Sequence, residues 1–379
     1  MIYLDNAAGS MPKAPGLGQA MAEVIEHGAA NINRAVNAPT AQTEMDIFCI
    51  RERLAAFFGC ADPRCLIFTS GVTMSLNMLM KGLLRPGDHL LISGMEHNAV
   101  WRPANQLLKQ GVEVDVATCD EQGCLDMAAL PAMFRSNTKL MVLCHASNVC
   151  GTVQDAAAVA AICHEHGAAL ALDCAQTAGN LPLDMQAWGV DALCFTGHKG
   201  LLGPQGSGGL ALTKELAGRL EPLISGGSGS ASDSGEMPPF LPDRLEAGTM
   251  NLPGIIGLGH SVAFVQSQGL DKLFQHEQQL TRLLMAGISD NPHLRLAGLP
   301  GLSGRVGVIS LDFLRRDNAA ISWELEQKYG ILTRCGLHCA PLAHRSLHTY
   351  PQGTVRFSPG WANTEEDILA AIRAIQELA

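Results

Sequence analysis

Asp191-Ala-Leu-Cys-Phe-Thr-Gly-His-Lys-Gly-Leu-Leu-Gly-Pro-Gln-Gly206 runs from an apolar segment through a single lysine, Lys199, into a glycine-rich turn. The consecutive apolar residues Ala192 to Phe195 predict a buried strand, because a strand covered on both faces reads as a continuous apolar run. Thr196, Gly197, His198 and Lys199 then fall at its carboxyl end, where parallel sheets collect catalytic groups. Most lysines are solvated surface charges, but one at the mouth of an apolar strand beside Gly and His is placed to react.

Working outward, Ala169-Leu-Ala-Leu-Asp-Cys-Ala-Gln176 is a second apolar strand, and it ends in a carboxylate, Asp173. A lysine and an acid at neighbouring strand ends suit pyridoxal 5'-phosphate. The lysine forms the Schiff base, and the acid keeps the pyridine nitrogen protonated as an electron sink. The same grammar extends from residue 64 to 213, with short apolar or β-branched runs alternating with helical patterns, so the chain is of the α/β class. The predicted strands are Cys65–Thr69, His89–Ser93, Val112–Thr118, Lys139–His145, Ala169–Asp173, Ala192–Thr196 and Gly209–Thr213, with helices over Thr73–Lys81, Asn98–Lys109 and Ala156–His166. Residues 225–243, rich in Gly, Ser and Pro, read as a long loop. After Pro253 the pattern changes to a helical stretch from Ile255 to about Ile288, further periodic runs at Val306–Phe313, Ile321–Tyr329 and Thr354–Ser358, and a closing helix Glu365–Leu378, which together suggest a smaller α+β domain.

The length of 379 residues exceeds what one hydrophobic core usually serves, so two domains are expected. Hydrophobic residues make up 47% of the chain, charged residues only 16%, and the net charge is −10. That balance gives no field for a nucleic-acid backbone, and nucleic acid is excluded as a partner. The start, Met1-Ile-Tyr-Leu-Asp-Asn, has no basic segment followed by an apolar stretch, and no apolar run is long enough to span a bilayer, so the expectation is a soluble, cytoplasmic chain without a membrane partner. Cys49, Cys65, Cys144, Cys163 and Cys194 sit in apolar runs as expected of small buried hydrophobes, and no Cys-x-x-Cys pair occurs, which fits a reducing compartment.

Polar groups recur at the other strand ends. Phe68-Thr-Ser-Gly-Val-Thr reads as strand, glycine turn and helix start, where the N–H groups of Gly71 and Val72 and the hydroxyl of Thr73 meet an anion. His97 in Met95-Glu-His-Asn stands where an imidazole stacks on a flat cofactor or moves protons. Asn148 in His145-Ala-Ser-Asn-Val-Cys-Gly-Thr is placed to donate to a phenolate oxygen or a carboxylate, and Asp173 and Gln176, then His198 and Lys199, complete the set. Unrelated structural roles would not select one edge of the sheet, so the convergence points to a single site.

The ordered set Glu-His-Asn, Ser-Asn-Val-x-Gly-Thr, Asp-x-Ala-Gln, Gly-His-Lys, Glu-Ala-Gly-Thr and Gly-x-His-Cys-Ala-Pro resembles the class V aminotransferase superfamily, in its group II cysteine desulfurase and selenocysteine lyase branch. The likeness covers nearly the whole chain, from Tyr3-Leu-Asp-Asn-Ala-Ala to Asn363-Thr-Glu-Glu-Asp. It implies fold type I of the pyridoxal phosphate enzymes: a large domain with a mostly parallel seven-stranded sheet and a smaller α+β C-terminal domain. Expected boundaries are an N-terminal arm over 1–15 packing on the small domain, a cofactor-binding domain over 16–254, and a small domain over 255–379 carrying the Cys339 loop and Arg356.

Residue by residue, the resemblance makes Lys199 the Schiff-base lysine and Asp173 the partner of the pyridine nitrogen. It puts Gln176 and Asn148 near the ring hydroxyl, His97 on the ring face, and Gly71, Val72, Thr73, Thr196 and His198 around the phosphate. Thr249 would reach the phosphate of a neighbouring subunit in a homodimer. Arg356, helped by Asn148 and Arg334, would take the substrate carboxylate, a task suited to a planar fork. Cys339, immediately before Ala-Pro, occupies the place of the persulfide-forming thiol, which attacks the sulfur of bound substrate, with Arg334 and His338 as candidates to lower its pKa. The implied reaction converts L-cysteine to L-alanine and passes sulfur to an acceptor protein. L-selenocysteine is open as a further substrate, and the alternative is a C–S or C–Se lyase acting on selenocysteine or cystine. His97 is the candidate for proton traffic at the thiol.

Three features depart from the pattern. Cys335 adds a thiol before Cys339, Cys150 stands where an apolar or hydroxyl residue is commoner, and Asn33-Arg-Ala-Val-Asn37 replaces a histidine-bearing version of that segment. Both extra thiols read first as buried bystanders, with a resolving thiol as the alternative for either. A metal reading of His338, Cys339, His344 and His348, with His344 and His348 sharing a helix face, leaves Asp173 and Lys199 unexplained, so no metal is expected.

Overall fold

The computed structural model describes residues 1–28, 32 and 37–379. Seven strands form the main sheet in the order Leu66–Thr69, Gly208–Leu212, Ala192–Thr196, Ala169–Asp173, Thr138–Cys144, His89–Ser93 and Glu113–Ala117. Gly208–Leu212 runs antiparallel to both its neighbours, and the other pairings are parallel. Every residue of Ala169–Asp173 and Ala192–Thr196 is buried, which is why these strands read as apolar runs rather than alternations. The seven predicted strands match within one residue at each end. The three predicted helices are Val72–Leu83, Asn98–Leu108 and Ala156–Glu165.

Two helices precede the sheet, Leu17–His27 and Ala38–Phe57. The second starts where the Asn37 side chain accepts from the Thr40 N–H, with Pro39 in the first turn. Thr43, Ile47, Ile50 and Leu54 form its buried stripe at helical spacing. Cys49 falls off that stripe and is exposed, which corrects the expectation of a buried thiol; Cys65, Cys144, Cys163 and Cys194 are buried.

The predicted helical stretch Ile255–Ile288 is two helices, Leu252–Gln268 and Leu270–Ile288. Gly269, at φ 82°, stops the first, and its N–H bonds back to the Val265 and Gln266 carbonyls. A second core lies between Leu270–Ile288, Asn318–Tyr329, Glu365–Leu378 and an antiparallel sheet in the order Arg334–Gly336, Thr354–Phe357, Ile309–Phe313 and Leu294–Ala297. The closing helix is fixed by a reciprocal cap in which Thr364 accepts from the Asp367 N–H and Asp367 accepts from the Thr364 N–H. At the other end of the chain Ile2–Tyr3 pairs in parallel with Ile331–Leu332, and Leu4 is part of the second core. Residues 225–243 hold neither helix nor strand. Among the described residues no helix is long and apolar enough to cross a membrane.

Candidate active site

Strand register brings the polar groups level. Thr69 and Thr196 both lie opposite Gly208, and Asp173 lies opposite Cys144 on one side and Cys194 on the other. Gly208 makes the first alignment possible, because a Cβ there would come within 2.6 Å of the Gly71 Cα and 2.5 Å of the Phe195 carbonyl. Gly71, at φ 137°, turns the chain into the helix Val72–Leu83, whose N-terminus has no side-chain cap. Its first N–H groups, with the exposed Thr73 beside them, form a positive end suited to a phosphate. The Thr196 hydroxyl shares a 2.8 Å hydrogen bond with His198 Nδ1. Burial, with Lys199 and Lys13 close by, lowers the His198 pKa to about 4, so it meets an anion as a neutral group.

Lys199 is half-buried one residue farther on, and burial lowers its amine to about 8 while Asp173 works in the opposite direction. Asp173 is 3% exposed; burial raises its pKa, against the pull of the Ala175 N–H, which donates to Oδ1 at 2.9 Å, and of Lys199. Beneath this pair the sequence reading missed Glu96. It has no exposed surface, and Oε1 accepts from the Ser93 hydroxyl and the Cys144 N–H, both at 2.6 Å. Burial raises Glu96 to about 8, and its Oε2 has no partner.

His97 caps the helix Asn98–Leu108 by accepting from the Ala99 N–H at Nδ1, 3.0 Å. The cap places its proton on Nε2. Burial and the charges of Lys199, Arg334, Arg102 and Arg356 lower its pKa to about 4, so the ring is neutral. Asn148 is buried, and its Nδ2 donates to the His338 carbonyl at 2.8 Å rather than to any group of the sheet edge, leaving Oδ1 unpaired. Gln176 Nε2 donates to the Ala7 carbonyl at 3.0 Å. Lys13, also missed, donates to the His198 carbonyl at 2.7 Å and to the Ser10 hydroxyl at 3.1 Å, tying the N-terminal arm to the lysine loop.

Arg356 is 2% exposed on the strand Thr354–Phe357. Its Nη2 meets Asp5 Oδ1 at 2.6 Å, Nη1 donates to the Asn148 carbonyl at 3.0 Å, and Nε is unpaired. Asp5 had no signal in the sequence, because its partner lies 351 residues away. An unpaired guanidinium N–H and an unpaired amide oxygen, both buried, are what a small zwitterion would satisfy.

Cys339 is exposed, on a turn where His338 and Cys339 both take left-handed backbone, at φ 49° and 56°. Each such non-glycine residue costs roughly 1–2 kcal/mol. The turn is pinned at both carbonyls, His338 by Asn148 and Cys339 by the Asn98 N–H at 2.7 Å. His338 does not serve the thiol as a cation. Burial and the nearby Arg356 push its pKa down to about 2, and Arg334 is exposed on Arg334–Gly336. Nor do His344 and His348 share a helix, since Pro341–Ser346 ends before His348. Thr249 is exposed, Cys150 is buried, and Cys335 is half-buried. Asn33 to Val36 lie outside the described residues.

The residues fit pyridoxal 5'-phosphate. The glycine cradle and open helix end would take the phosphate, buried Asp173 the ring nitrogen, His97 the ring face, and Lys199 the aldehyde carbon. The family model for class-V aminotransferases matches residues 2–370. A probable cysteine desulfurase of Methanothermobacter thermautotrophicus is 32% identical over the whole chain and 94% of its own length. A cysteine desulfurase of Escherichia coli is 33% identical over the whole chain and 93% of its own length. Among solved structures, the apo cysteine desulfurase of Thermococcus onnurineus NA1 superposes with a TM-score of 0.92 at 28% identity, covering all of this chain and 94% of that one. The strand register, the lysine–acid pair and these full-length likenesses agree, and the chain belongs to the class-V aminotransferase family.

Proposed function

We propose that the protein is a pyridoxal phosphate-dependent cysteine desulfurase, which takes sulfur from L-cysteine onto Cys339 and releases L-alanine. The observation that carries this reading is the Asn98–Cys339 hydrogen bond, because it fastens the thiol loop to the helix that His97 caps at the proposed cofactor edge. When bound, the cofactor supplies an electron sink for the substrate's Cα.

The rest is the work of side chains. Arg356 takes the substrate carboxylate with the donor left unpaired at Nε, helped by the second N–H of the Asn148 amide nitrogen. Lys199, its amine brought near neutrality by burial, removes the Cα proton and returns a proton to the product. The neutral His97 holds a proton on Nε2 for exchange with the substrate thiol. Cys339, as thiolate, attacks the substrate sulfur. The S–S bond forms as the Cβ–S bond breaks, and the electron pair stays with the carbon fragment, which takes up protons and leaves as alanine. The persulfide then passes to a sulfur-acceptor protein.

A homodimer is part of the same proposal. Met45 and Phe48 on Ala38–Phe57 are exposed and line one groove with Gly248 and Met250, the chain neighbours of Thr249, a surface that supports docking of a second copy. All twelve cysteines are free thiols, in keeping with a reducing, cytoplasmic setting. The test is alanine formation from L-cysteine, with reductant, by the cofactor-loaded protein and its Cys339→Ala variant. Turnover lost in the variant supports the persulfide route, whereas turnover retained makes the protein a lyase.

A further inference from the structure

The turn carrying Cys339 is also held by a polar chain that the chemistry above does not use. The Thr349 hydroxyl lies 2.6 Å from His344 Nδ1, His344 Nε2 lies 3.2 Å from His338 Nδ1, and His338 Nε2 lies 3.3 Å from the Arg334 carbonyl. The two imidazoles meet edge to edge, with centroids 5.4 Å apart and planes 23° from parallel, as an N–H···N bond in the ring planes requires. A carbonyl only accepts, so His338 carries its proton on Nε2 and offers Nδ1 as an acceptor. His344 must then hold its proton on Nε2 and accept from Thr349 at Nδ1. The direction of the whole chain is therefore set, and burial keeps both rings neutral.

We propose that His344 is a positioning residue for the thiol: by donating to His338 it locks the left-handed His338–Cys339 turn in register with the hydrogen bonds from Asn148 and Asn98. The inference rests on the reading of Cys339 as the sulfur-accepting residue. Two adjacent non-glycine residues at positive φ relax unless their surroundings over-determine them. Here the carbonyls are held by groups at the main sheet's edge, and His344, on Pro341–Ser346, holds the His338 ring from the side. His344 has no exposed surface and His338 is 4% exposed, so removing the donor leaves His338 Nδ1 buried and unpaired. The ring then has reason to turn outward and draw the His338 carbonyl away from Asn148.

The experiment compares His344→Phe, which keeps a flat ring without a donor, with His344→Gln, whose amide nitrogen restores the donation to His338. Cofactor-loaded protein is assayed for kcat and KM of alanine formation, and for the rate of Cys339 alkylation by iodoacetamide, followed by mass spectrometry. His344→Phe is expected to lower kcat by about tenfold at unchanged KM and cofactor absorbance, to change the alkylation rate by about threefold, and His344→Gln to recover most of both. Wild-type kcat and alkylation in His344→Phe, or equal losses in the Phe and Gln variants, would overturn the proposal. Should His344→Phe not fold, Thr349→Val interrupts the same chain at its far end. It is expected to show a smaller loss of the same pattern, and wild-type behaviour there would count against the proposal. Retained turnover in Cys339→Ala refutes the sulfur-accepting role separately, since alkylation reports on the turn whatever Cys339 does.

Discussion

The Asn98 N–H donates to the Cys339 carbonyl across 2.7 Å, joining the helix capped by His97 to the loop of the exposed thiol. The first N–H groups of a helix have no partner within it, and here one of them is spent on a loop far away in sequence. The His97-capped helix and the thiol loop are thus fixed relative to each other by backbone, independent of any side chain at position 98.

The backbone bond itself is testable with Asn98→Pro. Proline suits the first helical position, and His97 already has the extended backbone it requires, at φ −71° and ψ 158°. The variant deletes a hydrogen bond worth about 0.5–1.5 kcal/mol, and the ring pushes the Cys339 carbonyl away. Alanine formation should fall several-fold while cofactor loading stays at the wild-type level; unchanged kcat in a steady-state assay would show that the pin is dispensable.

Arg356→Lys removes the planar fork while keeping the charge. A lysine can hold Asp5 but not Asp5, the Asn148 carbonyl and a substrate carboxylate together. KM for L-cysteine is expected to rise by about tenfold or more with cofactor absorbance intact, as read by kinetics alongside the visible spectrum.

Glu96 sets a pH dependence of stability. Its folded pKa of about 8 lies above the ordinary 4.5, so the folded state binds the extra proton and stability falls as pH rises from about 4.5 to 8. Glu96→Gln removes the ionisation and keeps the acceptor for Ser93 and Cys144. Its unfolding free energy in denaturant titrations should match wild type near pH 5 and exceed it at pH 9, by an amount on the order of 5 kcal/mol. Parallel pH profiles of the two proteins would refute this account.

Lys199 should show its lowered pKa directly. Only the neutral amine adds to an aldehyde, so loading of cofactor-free protein should accelerate with pH and level off above about 8. Lys199→Ala is expected to lose activity by at least about a hundredfold, with the bound chromophore no longer attached after borohydride treatment.

The α/β class, the strands of the main sheet and the convergence of His97, Asn148, Asp173 and Lys199 on one edge were determined by sequence alone. Buried parallel strands must be apolar runs, and polar residues following them have only one edge at which to gather. Local patterning could not show the pairing of Asp5 with Arg356, the Asn98–Cys339 pin or the Thr349–His344–His338 chain, since each joins groups by distance in space or by ring tautomer. The neutral state of His338, read from sequence as a possible cation for the thiol, was decided by desolvation, and burial exists only once the chain has folded. Cys49 makes the same point: an apolar neighbourhood in sequence suggested burial, and the phase of its helix turned it to solvent.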